Sequence, residues 1–245
     1  MNISLYLFCG GPPRDRAGLP KPLIKIFEGR CLLEHFLMHL THRRLSLPEV
    51  VTLLCDDGQE AEFRTQLKDF TYPVPIRIQE CGQQASTFEK FSLALREATD
   101  RKSVVQFGYP DIFSFDESPE PQQQALETES MVHISAAALT SRFPRLIVDF
   151  YNKKIKGISN YSSPVPANPM HVFGGDLWGR VDYLYALTEE FQSQVGMKAP
   201  SLEYDFFFWL INHDKMRCVI QHGDRYWIDS IRDINELLAR TRDTQ

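Results

Sequence analysis

The chain lacks any excess of positive charge. Its 27 lysines and arginines are outnumbered by 32 aspartates and glutamates, a net −5. No global basic field therefore recruits nucleic acid, and an anionic ligand must be held by a local cluster of cations. The five cysteines, Cys9, Cys31, Cys55, Cys81 and Cys218, form no CxxC pair. Buried free thiols in a reducing compartment are expected. No apolar run is long enough to span a bilayer, and no positive charge precedes the short apolar run at residues 3–8. A signal peptide, a membrane helix and a membrane partner are therefore not expected, and cytoplasm is the expected location. There is no internal repeat and no HExxH pattern. His35, His39 and His42 are read as packed or solvent-facing side chains rather than metal ligands.

What is present is an ordinary globular composition, 43% hydrophobic and 24% charged over 245 residues, enough for a sizeable core. Strand-like and helix-like runs alternate. Residues 3–8, 49–55, 75–79 and 102–107 read as strands, and residues 31–43, 59–70 and 86–96 as helices, the last opened by a Ser86/Glu89 capping box. This alternation predicts an α/β sheet, mostly parallel. Further strands are expected at 131–138, 146–151, 154–158, 170–175 and 217–221. Asn152-Lys153 reads as a hairpin turn, and helices are expected at 177–194 and 202–213.

The first strand ends in Gly10-Gly11, followed by Pro12-Pro13-Arg14-Asp15-Arg16-Ala17-Gly18-Leu19 and then Pro20-Lys21-Pro22-Leu23. A glycine turn with converging cations is suited to holding phosphates. Pro20 and Pro22 stiffen the backbone on both sides of Lys21. The fourth long strand ends in Gly108-Tyr109-Pro110-Asp111. Open parallel sheets bind ligands beyond the carboxyl ends of their strands, so Asp111 falls where chemistry is expected.

Gly10-Gly11, an arginine and Pro20-Lys21-Pro22-Leu23 directly after an N-terminal strand resemble the signature of the sugar-1-phosphate nucleotidyltransferases. Leu32-Leu33-Glu34-His35 in the next helix, Pro110-Asp111 and Trp227-x-Asp229 follow the family order, so the resemblance covers nearly the whole chain. It implies an α/β, Rossmann-like (GT-A-like) nucleotidyltransferase fold, with flanking helices and a single domain over residues 1–245. It also implies a transfer of a nucleotidyl group from an NTP to a sugar 1-phosphate, dependent on Mg²⁺.

Carried over residue by residue, the resemblance places Gly10 and Gly11 near the nucleotide. Arg14 or Arg16 contacts the triphosphate, and Lys21 neutralises charge on the reacting phosphates. Asp111 and Asp229 hold the metal. Gly108, Gly174 and Gly175 lie on the substrate side. Pro12-Pro13 stands where the family usually has a third glycine, and Arg16-Ala17-Gly18 fits the shorter loop of related cytidylyltransferases. The family's second lysine, on a Glu-Lys-Pro segment, is replaced by Ser159-Asn160-Tyr161, with Lys156 and Arg180 as candidate substitutes.

Such a reaction needs no general base, because the attacking phosphate is already an anion. Positioning and electrostatic stabilisation carry it. A GT-A glycosyltransferase would need Asp-x-Asp after the corresponding strand, but Asp111 is followed by Ile112-Phe113. A non-catalytic regulatory protein that binds a nucleotide or sugar phosphate on the same fold is the alternative reading. A homo-oligomer is left open.

Overall fold

The computed structural model describes residues 3–10, 18–43, 47–114, 131–138, 145–149, 152–159, 171–196, 198–221, 225–228 and 233. The first strand, β1 (Ile3–Phe8), is followed by a 3-10 turn (Lys21–Leu23), a small hairpin of β2 (Lys25–Phe27) and β3 (Arg30–Cys31), and helix α1 (Leu32–Arg43). Next come β4 (Val50–Cys55), α2 (Glu60–Leu67), β5 (Ile76–Glu80), α3 (Thr87–Glu97) and β6 (Val104–Gly108). After the short β7 (Ile112–Ser114) follow β8 (Val132–Ala138), β9 (Arg145–Asp149), β10 (Lys154–Ser159) and β11 (His171–Arg180). The chain continues through α4 (Val181–Val195), one π-helical turn (Leu202–Phe206), α5 (Phe207–Asn212), β12 (Met216–Gln221) and β13 (Arg225–Trp227).

The main sheet has the order β5-β4-β1-β6-β11-β8-β12-β10-β9. Among the described strands only β10 and β11 run against the rest. The α/β, mostly parallel expectation holds. β1 lies between β4 and β6, parallel to both: the chain builds outward from β1 through β4 and β5, then crosses back to β6 on the far side of β1. That is the switch point where open α/β sheets form a crevice at the strands' carboxyl ends.

Alternation along β1 builds a core on each face. Leu5 and Leu7 pack with Leu33 and Leu37 of α1 and Phe63 of α2. Phe8 packs on the other face with Phe88 and Phe91 of α3, Phe107, Phe191 of α4 and Phe206. Each such fully buried side chain is worth roughly 1.5–3 kcal/mol relative to exposure. Ser86 accepts from the Glu89 amide at 3.2 Å while Glu89 accepts from the Ser86 amide at 2.7 Å. The expected capping box therefore fixes the start of α3. The Asn152-Lys153 turn joins antiparallel β9 and β10 as expected. All five cysteines are free and buried, and burial pushes Cys31, Cys55 and Cys81 up to about 12 and Cys218 to about 11.

Two expected helices differ in detail. The helix expected at 177–194 begins only at Val181, because Leu177 to Arg180 continue β11 and pair with Phe107 to Val104. Leu177 and Trp178 are both buried, one on each face of the sheet, so the run lacks the alternation that marks a strand with one wet face. Residues 202–213 open with a π-helical turn before α5. The Trp227 segment does not extend the main sheet. β13 pairs antiparallel with β7 as a separate two-stranded ribbon. Residues 115–130 lie outside the described residues, as do Gly11, Arg14, Arg16, Asn160 and Asp229.

Candidate active site

At the end of β1 the Cys9 and Gly10 amides both donate to the Leu54 carbonyl, at 2.9 and 3.0 Å. This hooks the strand onto the end of β4. The Gly10 N–H is thus engaged inside the protein. Glycine is needed here for space: a Cβ would collide with the Lys90 ammonium and come within 2.8 Å of Asp56 Oδ1. Beneath Gly10, Lys90 Nζ sits 2.6 Å from Asp56 Oδ1, with side chains only 5% and 10% exposed. Neither residue stands out in the sequence. The one sequence signal is that Asp56 directly follows an apolar strand; the burial of Lys90 among the core residues of α3 shows only in the structure.

Gly18 has φ +78, a backbone that favours glycine. Past it, the Leu23 amide donates to the Pro20 carbonyl at 2.9 Å, closing the 3-10 turn, and Leu23 anchors the turn in the core. The turn aims Lys21 at the end of β6. Its ammonium lies 2.5 Å from Asp111 Oδ2, with side chains 17% and 25% exposed. The two residues that the sequence picked out separately, ninety positions apart, meet.

The turn after β6 is closed by the Ile112 amide donating to the Tyr109 carbonyl at 3.2 Å. β7 then pairs with β13, with Trp227 opposite Ile112. The Ile228 amide donates to the Asp111 carbonyl at 2.8 Å. The chain just before Asp229 is therefore tied to the backbone of Asp111.

Gly174 and Gly175 lie where β11 breaks register with β8, between Phe173 and Leu177. Gly175 has φ +93, and a Cβ there would strike the Ile112 side chain. A Cβ on Gly174 would strike Ser135 and lie 3.0 Å from Arg225 Nη1. These glycines let the irregular stretch of β11 lie against the segment carrying Asp111. A Cβ on Gly108 would be 3.3 Å from Asp176 Oδ1. Asp176 itself accepts from Gln106 Nε2 at 2.9 Å and from Arg225 Nη2 at 3.0 Å. The Arg225 side chain is 2% exposed, so an ion pair also binds the ribbon to the sheet. The sequence reading missed Asp176 and Arg225.

Arg180 is not brought to this edge. It ion-pairs with Asp182, and the neighbouring Val181 and Asp182 amides bond to the Ser103 and Arg101 carbonyls, beside the start of β6. β11 is antiparallel to β6, so its last residue lies at the opposite end of the sheet. Arg180 therefore does not replace the absent second lysine. The Lys156 side chain lies outside the described residues. His35 Nε2 is 3.1 Å from the Phe27 carbonyl, and the His39 ring packs 5.6 Å from Phe113, as expected of packed histidines.

Among the described residues no three His, Cys, Asp or Glu side chains converge as a metal site. Mg²⁺ needs no such cluster. It takes one or two carboxylates and completes its octahedron with water and phosphate oxygens. A partly exposed Asp111 at a loop mouth fits that donor set. No described helix is long and apolar enough to cross a membrane.

No family model and no curated protein matches the chain by sequence. Among solved structures, HddC from Yersinia pseudotuberculosis superposes with a TM-score of 0.73 at 14% identity, covering 98% of this chain and 100% of that one. The inositol-1-phosphate CTP transferase from T. maritima gives 0.70 at 14%, covering 98% and 94%. A UDP-glucose pyrophosphorylase complexed with UDP-glucose gives 0.72 at 9%, covering both chains fully. The chain thus has the fold of the sugar-1-phosphate nucleotidyltransferases, the fold that its Gly-Gly and Pro-Lys-Pro-Leu motifs imply.

Proposed function

We propose that this protein transfers a nucleotidyl group from an NTP to a sugar 1-phosphate, releasing pyrophosphate, as a single domain in the cytoplasm. The observation that carries this reading is the 2.5 Å contact of Lys21 with Asp111 at the carboxyl end of β6. The resemblance assigns those two residues to one reaction centre. Neighbours of the same fold include an inositol-1-phosphate CTP transferase and a UDP-glucose pyrophosphorylase.

In this reaction a phosphate oxygen of the sugar 1-phosphate bonds to the α-phosphorus while the bond from that phosphorus to the pyrophosphate oxygen breaks. No proton has to leave the nucleophile. Lys21 offsets the charge of the reacting phosphates from a stiff turn, and Arg14 or Arg16 contacts the triphosphate. Asp111 and Asp229 would hold Mg²⁺, which when bound supplies Lewis-acid neutralisation of phosphate oxygens. Preorganised charge of this kind is what phosphoryl-type transfers require.

A second reading, a non-catalytic binder of nucleotide or sugar phosphate, is favoured by one observation. The family's second lysine is absent, and Arg180 is held at the far end of the sheet. Pyrophosphate release with Mg²⁺, four NTPs and a panel of hexose and heptose 1-phosphates separates the two. Turnover with any pair supports the transferase, whereas nucleotide binding without turnover across the panel supports the binder.

A further inference from the structure

Tyr109 stands two residues before Asp111 and contacts several walls of the site. Its ring packs 5.0 Å from Phe8, the last residue of β1. It also packs edge-on, 6.3 Å away, against Phe173, the residue before Gly174-Gly175. Its hydroxyl donates to Glu203 Oε1. Glu203 belongs to the π-helical turn, a local irregularity that is common at functional sites. The other Glu203 oxygen accepts from Ser201 Oγ at 3.1 Å and from Thr87 Oγ1 at 3.3 Å. Thr87 is the first residue of α3. The carboxylate is met by three hydroxyl donors and, among the described residues, by no salt bridge.

We propose that Tyr109 and Glu203 are positioning residues that hold the Asp111 turn ready for the metal–nucleotide complex, and that they couple it to the start of α3. This rests on the nucleotidyl-transfer reading above. Without the tie, the 109–112 turn keeps its backbone hydrogen bond and its aromatic neighbours but loses its side-chain link to the π-helical turn. Asp111 then samples more positions. The cost appears in metal affinity rather than in sugar-phosphate binding. A carboxamide at position 203 still accepts from Tyr109, and its NH₂ can donate to the Thr87 and Ser201 oxygens, so Glu203→Gln preserves the tie.

The test uses the full chain with Tyr109→Phe, Glu203→Ala and Glu203→Gln. Amide hydrogen exchange at Ile112 and Ile228 is read without ligand. Mg²⁺ binding is read by calorimetry with a non-hydrolysable NTP analogue. Tyr109→Phe and Glu203→Ala are expected to speed exchange at both amides severalfold and weaken Mg²⁺ binding about tenfold. Glu203→Gln should stay near wild type, and all three should melt as folded proteins. If turnover is found, KM for the sugar phosphate stays unchanged. Exchange and Mg²⁺ titrations of Tyr109→Phe that superimpose on wild type would overturn the proposal. Loss in Glu203→Gln equal to that in Glu203→Ala would overturn it too, because charge and not the tie would then be what matters. Failure of the transferase reading shows separately, as absence of turnover in the unaltered chain.

Discussion

The Lys21 ammonium and the Asp111 carboxylate form an ion pair of 2.5 Å between the loop after β1 and the turn after β6. In this arrangement the lysine occupies the carboxylate that the metal would use. Under the proposed function a nucleotide would offer Lys21 phosphate oxygens in exchange and release Asp111 to the ion. Lys21→Ala is therefore expected to have two effects of opposite sign. Turnover falls by about 10²–10³-fold, the usual loss for one preorganised charge contact. Mg²⁺ binding in the absence of nucleotide becomes tighter, because the competing cation is gone. Steady-state kinetics and calorimetry on a folded variant check both, and wild-type turnover would remove Lys21 from the reaction.

The bond from the Ile228 amide to the Asp111 carbonyl motivates a prediction about Asp229, the next residue. Two close carboxylates repel unless a cation lies between them. If Asp111 and Asp229 share one Mg²⁺, Asp111→Asn and Asp229→Asn should each abolish Mg²⁺-dependent nucleotide binding. Calorimetry with and without Mg²⁺ decides this. Unchanged binding in both variants would leave the protein without the proposed metal site.

Lys90 and Asp56 lie almost wholly out of water below Gly10. Removing one member of such a pair strands the other, which costs about 3–5 kcal/mol, whereas replacing both is far milder. Lys90→Met should lower stability by that order, and Lys90→Met combined with Asp56→Leu should recover much of it. Gly10→Ala should cost roughly 1–3 kcal/mol through overpacking. Urea unfolding of the four proteins, including wild type, measures these differences. A double variant no more stable than Lys90→Met would show that the pair is not the reason.

His133 on β8 is buried, and burial, aided by the Arg217 charge, lowers it from the usual 6.5 to about 4. The folded protein therefore favours the neutral ring. Its contribution to stability is complete above pH 6.5. It declines as pH falls from 6.5 towards 4, because the unfolded chain takes up the proton first, by up to about 3 kcal/mol. Denaturation midpoints between pH 7.5 and pH 4 should fall less steeply in His133→Gln than in wild type. Parallel curves would refute the assignment.

Much of the fold was legible because local patterns carry it. β1 was expected at 3–8 and found there. The capping box placed α3, and the alternation of strand and helix implied parallel neighbours. The end of β11 was not legible. Leu177 and Trp178, buried one on each face of the sheet, carry no period-2 signal, and the residues that follow are helical. Lys90 is invisible as a site residue for a related reason. A lysine in a helix reads as solvent-facing, and only the approach of Gly10 and Asp56 from other elements explains its burial.

The sequence by itself determined the loop chemistry, since glycines, prolines and a lysine within fourteen residues act through local backbone geometry. It also determined that an aspartate, Asp111, follows closely on the strand that ends near Phe107. Only the tertiary structure decided that Lys21 touches Asp111, that β13 sits on β7 and not in the main sheet, and that Arg180 points away from the site. Those outcomes depend on strand order and direction. Strand order and direction are set by contacts between residues far apart in the chain, and neither periodicity nor spacing encodes them.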